Sequence, residues 1–222
     1  MVSSFIKKIL FFILASTTPL TIILSYILYF KHSPHANQDT VPYISDTIEY
    51  LPMATFGLAI SSILSIGLYI IKLQYNRLQI KNGNTHSLVS TFNIVCLLIA
   101  LIQSIGLLGV FSFPQHYIRN VHLVFSAIYF IFGLFYIIIS TTLDYNLHLN
   151  ILAPKLFIFR IVLTVLYTVA ILIFQSTNYK EYNNLCALSE ITCVTLYFLF
   201  FISFFHEYKT IVVGEDSSYY SF

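Results

Sequence analysis

Long apolar stretches broken by short polar segments set the pattern of this chain. Six runs have about the 20 mostly apolar residues that a helix needs to cross a bilayer. They fall at 9–30, 53–72, 89–110, 120–142, 157–175 and 186–206, each bounded by charges, Pro or Asn. Polar residues inside the runs recur at helical steps. His122, Ser126, Tyr129, Gly133, Tyr136 and Ser140 are spaced by 4, 3, 4, 3 and 4, which places them on one stripe of one helix. Asn93, Cys96, Ala100 and Gln103 share a face. So do Gly57, Ser61 and Ser65; Thr18, Thr21 and Ser25; and Cys186, Glu190, Cys193 and Tyr197. Leu, Ile, Val and Phe fill the opposite faces. Lipid supplies no hydrophobic drive between helices, so small and polar residues mark their contact faces. The pattern predicts an all-α integral membrane protein. Its single domain, 1–206, is a bundle of six transmembrane helices, followed by a short polar tail over 207–222. The connections are too short to fold as separate domains.

Composition excludes the alternatives. Hydrophobic residues make up 58% of the 222 positions, and only 9% are charged. Soluble domains carry about a quarter. A net charge of +2 is too small to indicate a nucleic-acid partner, and no basic run interleaves with aromatics. The three cysteines, Cys96, Cys186 and Cys193, sit in apolar runs and suggest neither a disulfide framework nor a metal knuckle. Lys7 and Lys8 ahead of the first run resemble the start of a signal peptide. That run, however, exceeds the ~7–15 residues of such a segment, so a retained helix is expected.

Basic residues orient the bundle. Lys7, Lys8, Lys72, Arg77, Lys81, Lys155, Arg160 and Lys209 lie on the side of the termini; Lys31, Arg119 and Lys180 lie on the other. Both termini are therefore expected in the cytosol. Trp is absent, so Tyr must supply the aromatic belt. Tyr43, Tyr50, Tyr117, Tyr179 and Tyr182 are expected near one interface, and Tyr69, Tyr75, Tyr145 and Tyr208 near the other.

Glu190 is the only acid within a run. It lies four residues past Cys186, about 6 Å along the axis from the non-cytosolic end. An intramembrane acid is a functional candidate by default; the plainer reading is a structural carboxyl paired with a neighbour. Arg119 and His122 open the fourth run in the same leaflet and are its candidate partners. Asp46 is a further candidate on that side. Its company of His35, Asp39, His116 and His122 invites a metal reading, but no ligand spacing supports one. Nucleophile elbow, P-loop and dinucleotide fingerprints are missing, so no catalytic residue, metal or cofactor is expected. The expected partners are the lipid bilayer and, through the tail, cytosolic sorting adaptors. Tyr219 to Phe222 fits their Tyr-x-x-bulky-apolar pattern.

Several segments together resemble one family. They are Val41-Pro42-Tyr43-Ile44-Ser45-Asp46-Thr47; Asn120-Val121-His122 through Ala127; Ala187-Leu188-Ser189-Glu190; and Phe201 through Tyr208. The chain is similar to the DRAM family of damage-regulated autophagy modulators. These belong to a wider superfamily with the FGF-receptor-activating protein and the Sfk-type proteins. The Pro-x-Ile-Ser-Asp loop and the Ser-Glu of the last run are the most specific parts, and Ile191 stands where the family usually has Trp. The resemblance implies a non-enzymatic lysosomal membrane regulator of autophagy. Other branches imply a plasma-membrane scaffold for a phosphatidylinositol kinase, or a GPI-lipid remodelling factor. A small-molecule transporter would want charges deep in several spans, and Glu190 is the only acid in any of them.

The orientation is open to a direct check. In cysteine-accessibility labelling, positions beside Asp46 and Lys180 should react from the non-cytosolic face, and positions beside Arg77 and in the tail from the cytosol. Tail labelling from the non-cytosolic face would exclude this topology.

Overall fold

The computed structural model describes residues 4–33, 40–49, 52–82, 87–148, 154–176 and 183–205. These form helices α1 (Ser4–His32), α2 (Ile44–Glu49), α3 (Pro52–Asn82), α4 (Ser87–Ser112), α5 (Arg119–His148), α6 (Pro154–Ser176) and α7 (Asn183–Ile202). Six are long and apolar enough to cross a membrane; α2, with six residues, is not. The architecture is the six-helix bundle that the apolar runs predict.

Two helices outrun their apolar stretches. Helix α3 continues past 72 to Asn82, and α5 past 142 to His148. The reason is electrostatic. Lys72 and Asp144, which mark those ends in the sequence, face each other at 2.7 Å inside the protein rather than meeting water. The α1–α3 connection also holds more order than expected, because α2 sits within it.

Helices adjacent in sequence pack together, and α7 returns to contact α5 and α6. Helix α7 is the most buried of the spans and α1 the least. Ala187, Cys193 and Phe200 of α7 have no exposed area, and Tyr136 and Tyr167 pack near them in the core. The α5 stripe points inward. His122, Tyr129, Gly133, Tyr136 and Ser140 are buried, and Ser126 is half-buried. Leu123, Val124, Ile131, Phe135 and Ile138 cover the lipid-facing side. Asn93, Cys96, Ala100 and Gln103 of α4 are likewise buried. The rings of Phe11, early in α1, and Phe205, just beyond α7, lie 5.1 Å apart, so the described ends of the chain share one end of the bundle.

The closest helix pair is α4 with α5. At Gly106 a Cβ would stand 2.6 Å from the backbone nitrogen of Tyr129, so only hydrogen fits between the two backbones.

The tyrosines correct the belt expectation. Tyr117 and Tyr145 are exposed, as interfacial residues should be, but Tyr43, Tyr69 and Tyr75 are buried. Tyr69 lies deep enough to bond with residues of α4 and α7, a role that position along a run does not reveal. Tyr50, Tyr179, Tyr182 and Tyr208 lie outside the described residues.

Two glycines test the packing. Gly106→Leu should cost about 1–3 kcal/mol or more through overpacking against rigid backbone. It should read as a lower melting temperature of the full chain in detergent. Gly67→Ala is expected to be neutral or stabilising, because a Cβ there meets nothing within 4 Å.

Candidate functional site

Polar groups gather at three levels along α7. At the end opposite the termini, α2 is fastened from every side. The first helical hydrogen bond of α2 runs from Thr47 N–H to the Tyr43 carbonyl. Asp46 reaches back toward the Tyr43 N–H at 3.4 Å, as a third-position acid does in a capping box. The Ile44 N–H donates to Glu190 Oε2 at 2.9 Å, and the Ser45 N–H lies beside the same carboxylate. A carboxylate of α7 thus occupies the N-terminus of α2, where exposed N–H groups and the helix dipole favour an anion. Helix α1 contributes Tyr26, whose hydroxyl donates to the Pro42 carbonyl at 2.9 Å, and Ser25, 3.1 Å from the Thr47 hydroxyl. Asn184 accepts from the Val41 N–H at 2.8 Å, and Gln115 accepts from Ser45 at 3.3 Å.

In the middle, Gln103 Oε1 accepts from Tyr69 at 2.6 Å and from Tyr197 at 3.0 Å, and the two hydroxyls are 2.7 Å apart. Three helices meet in this knot. Between it and α2 lies a cavity of about 100 Å³. Its wall is apolar except for a few side chains, among them Gln103, Ser126, Tyr129 and Glu190.

At the terminal end, Asp144 of α5 bridges two cations. Lys72 of α3 approaches one carboxylate oxygen at 2.7 Å, and Arg160 of α6 bonds the other. Arg160 also donates from Nε to the Ser203 hydroxyl at 2.8 Å and from Nη2 to the Ser203 carbonyl at 2.9 Å. It therefore caps the C-terminus of α7, where carbonyls are left over and positive charge is favoured. Both cations also lie against the Phe204 ring, at 4.9 and 4.7 Å from its centroid. All three charged side chains are buried.

The structure separates some residues that the sequence suggested as partners. Glu190 is buried and faces the bundle, but its bond goes to the α2 backbone, not to His122 or Arg119. His122 is buried, with Nδ1 2.9 Å from the Phe113 carbonyl. It lines a second cavity of about 200 Å³, and Ser45, Ile48, Val110 and Phe111 line both. Arg119 is exposed. Asp46 serves the start of α2. Tyr219 and Phe222 lie outside the described residues. Sequence reasoning missed the Lys72–Asp144–Arg160 set and counted its cations only toward the orientation of the bundle. A signal was present: Asp144 continues the α5 stripe one step of four beyond Ser140. Charge in the spans is therefore not confined to Glu190.

The model of the Frag1/DRAM/Sfk1/Cwh43P N-terminal domain matches residues 5–211. The chain belongs to this family. Among its relatives is the DNA damage-regulated autophagy modulator protein 2 of Rattus norvegicus, 27% identical over 146 residues, which are 65% of this chain and 54% of the relative. The Mus musculus protein of the same name is 26% identical over the same shares. The chain spans about half the length of these curated relatives. No solved structure matches. The two segments most specific to the Frag1/DRAM/Sfk1 resemblance touch each other: the Pro-x-Ile-Ser-Asp loop begins α2, and Glu190 holds its first N–H.

Substitutions at the two ends should differ in severity. Asp144→Ala leaves two buried cations without their shared carboxylate and should cost about 3–5 kcal/mol, seen as loss of folded protein on size-exclusion chromatography. Glu190→Gln keeps an acceptor for Ile44, whereas Glu190→Leu does not. Amide exchange in 44–49 should stay slow in the first and accelerate in the second. Equal exchange in both would show that the carboxylate does not hold α2.

Proposed function

We propose that this chain is a lysosomal multi-pass membrane protein that promotes autophagy and acts as a regulator rather than as an enzyme. One observation carries the reading: the likeness to proteins named autophagy modulators, over 65% of the chain, within a family match to nearly all of it. Both termini face the cytosol, supported by the excess of Lys and Arg at that end. The tail from 207 then lies where sorting adaptors read Tyr-x-x-apolar peptides, and Tyr219 and Phe222 are the residues to be read.

Two measurements test this. A tagged copy should co-localise with lysosomal markers, and its removal should lower autophagic flux, measured as turnover of a lipidated autophagosome marker with lysosomal proteolysis blocked. Residence at the cell surface with unchanged flux would favour the kinase-scaffold branch of the family instead. Tyr219→Ala should shift the protein from lysosomes toward the cell surface, read by surface biotinylation. An unchanged distribution would leave sorting to another segment.

A further inference from the structure

We propose that the cavity beneath α2, about 100 Å³ in volume, takes the oxygen-bearing end of a neutral lipid, one that carries a hydroxyl or carbonyl oxygen but no charged headgroup, which enters from the bilayer between α1 and α7 and leaves its hydrocarbon in that seam. It rests on polar groups that no described residue satisfies. Gln103 is 2% exposed and Tyr129 8%. The carbonyl oxygen of Gln103 is taken by the two tyrosines, but no described group accepts from its NH2. The Tyr129 hydroxyl, and that of Ser126 one turn away, make no hydrogen bond among the described residues either. All three line the cavity. A buried donor without an acceptor costs about 1–3 kcal/mol, and lipid tails offer none. These donors, two on buried residues and one on half-buried Ser126, open onto the same space and call for an occupant with acceptor oxygens.

The rest of the wall defines that occupant. It is built mainly from aliphatic and aromatic side chains, such as Ile22, Leu107, Phe130 and Val194, which suit hydrocarbon better than a column of water. Among the described residues no Lys, Arg or His lines it, so a phosphate headgroup would have no counter-charge there. The one carboxylate among the described lining residues, Glu190, is engaged by the α2 backbone and would repel an anion. The route follows from the packing. Thr18 and Ile22 line the cavity from α1, and Val194 and Phe198 line it from α7. Helix α1 packs chiefly on α3 and α2 and has little direct contact with α7. The α1–α7 seam is where a lipid can reach the cavity without unpacking the core. Diacylglycerols and sterols share the required chemistry.

The test uses the full chain in phosphatidylcholine nanodiscs with three photoreactive, alkyne-tagged probes: a diacylglycerol, a sterol and a phosphatidylcholine. At least one neutral probe should crosslink to α1 or α7 peptides around Ile22 and Val194, and the unlabelled lipid should compete. Which neutral probe labels identifies the source of the ligand. Tyr129→Phe removes a hydroxyl that bonds no described residue. It should lower labelling roughly tenfold, the factor for one ordinary hydrogen bond, and leave the melting temperature unchanged or higher. Val194→Phe, which fills the cavity, should lower labelling as well. The proposal is overturned if no neutral probe labels these peptides, if the phosphatidylcholine probe labels them equally, or if Tyr129→Phe labels like the parent.

Discussion

Asp144 is the residue around which one end of this bundle is organised. It extends from α5 to Lys72 on α3 and Arg160 on α6, and Arg160 extends in turn to the last turn of α7. Four of the six spanning helices thus meet through a single carboxylate. Such a set is not a large source of net stability. The cost of stripping water from three charges roughly cancels their attraction, and apolar residues of equal volume often do as well. What it supplies is selection. A helix that slides or rotates leaves a buried charge alone, a penalty that no apolar contact imposes. Since lipid gives apolar faces no preference for each other, this penalty sets which helices meet and at what height.

The opposite end meets the same constraint with a different device. A six-residue helix is too short to satisfy its own backbone, because its first N–H groups and last carbonyls lack internal partners. Helix α2 persists because neighbouring elements supply those partners: Glu190 at its N-terminus, Tyr26 and Asn184 on the residues leading into it, and Ser25 on its side. Helix α7 therefore takes part at both ends, giving a carboxylate to the N-terminus of α2 and receiving a guanidinium at its own C-terminus. This accounts for its being the most buried of the spans.

Much of this was legible in the sequence, and the failures share one cause. Apolar length located the six spans, and helical spacing of small and polar residues identified the faces that α4, α5 and α7 turn inward. Those signals are local, and one helix carries all of each. Lys72 and Arg160 were read only as charges orienting the bundle, and Asp144 was passed over, because hydropathy treats each charge as solvated. Only the partner makes burial tolerable, and the partners stand 16 and 72 positions apart along the chain. Tyr69 was placed at an interface for the same reason, since its bonds to Gln103 and Tyr197 lie on other helices. Helix α2 was read as loop because six residues carry no periodicity, and its caps come from residues as far away as Glu190.

The central cavity is a consequence of these two fastened ends. Above it, α2 is held by polar bonds that lipid cannot replace. Below it, the Tyr69–Gln103–Tyr197 knot holds α3, α4 and α7 at a fixed spacing, because any closer approach would break hydroxyl-to-amide bonds in a medium that offers no substitute. Apolar side chains alone would close such a space, since a void forfeits contacts on every wall. Polar fastening at both levels opposes that collapse. Glu190 belongs to both structures, as the cap of α2 and as part of the cavity wall. The position of α2 and the shape of the space beneath it are therefore linked through that carboxylate.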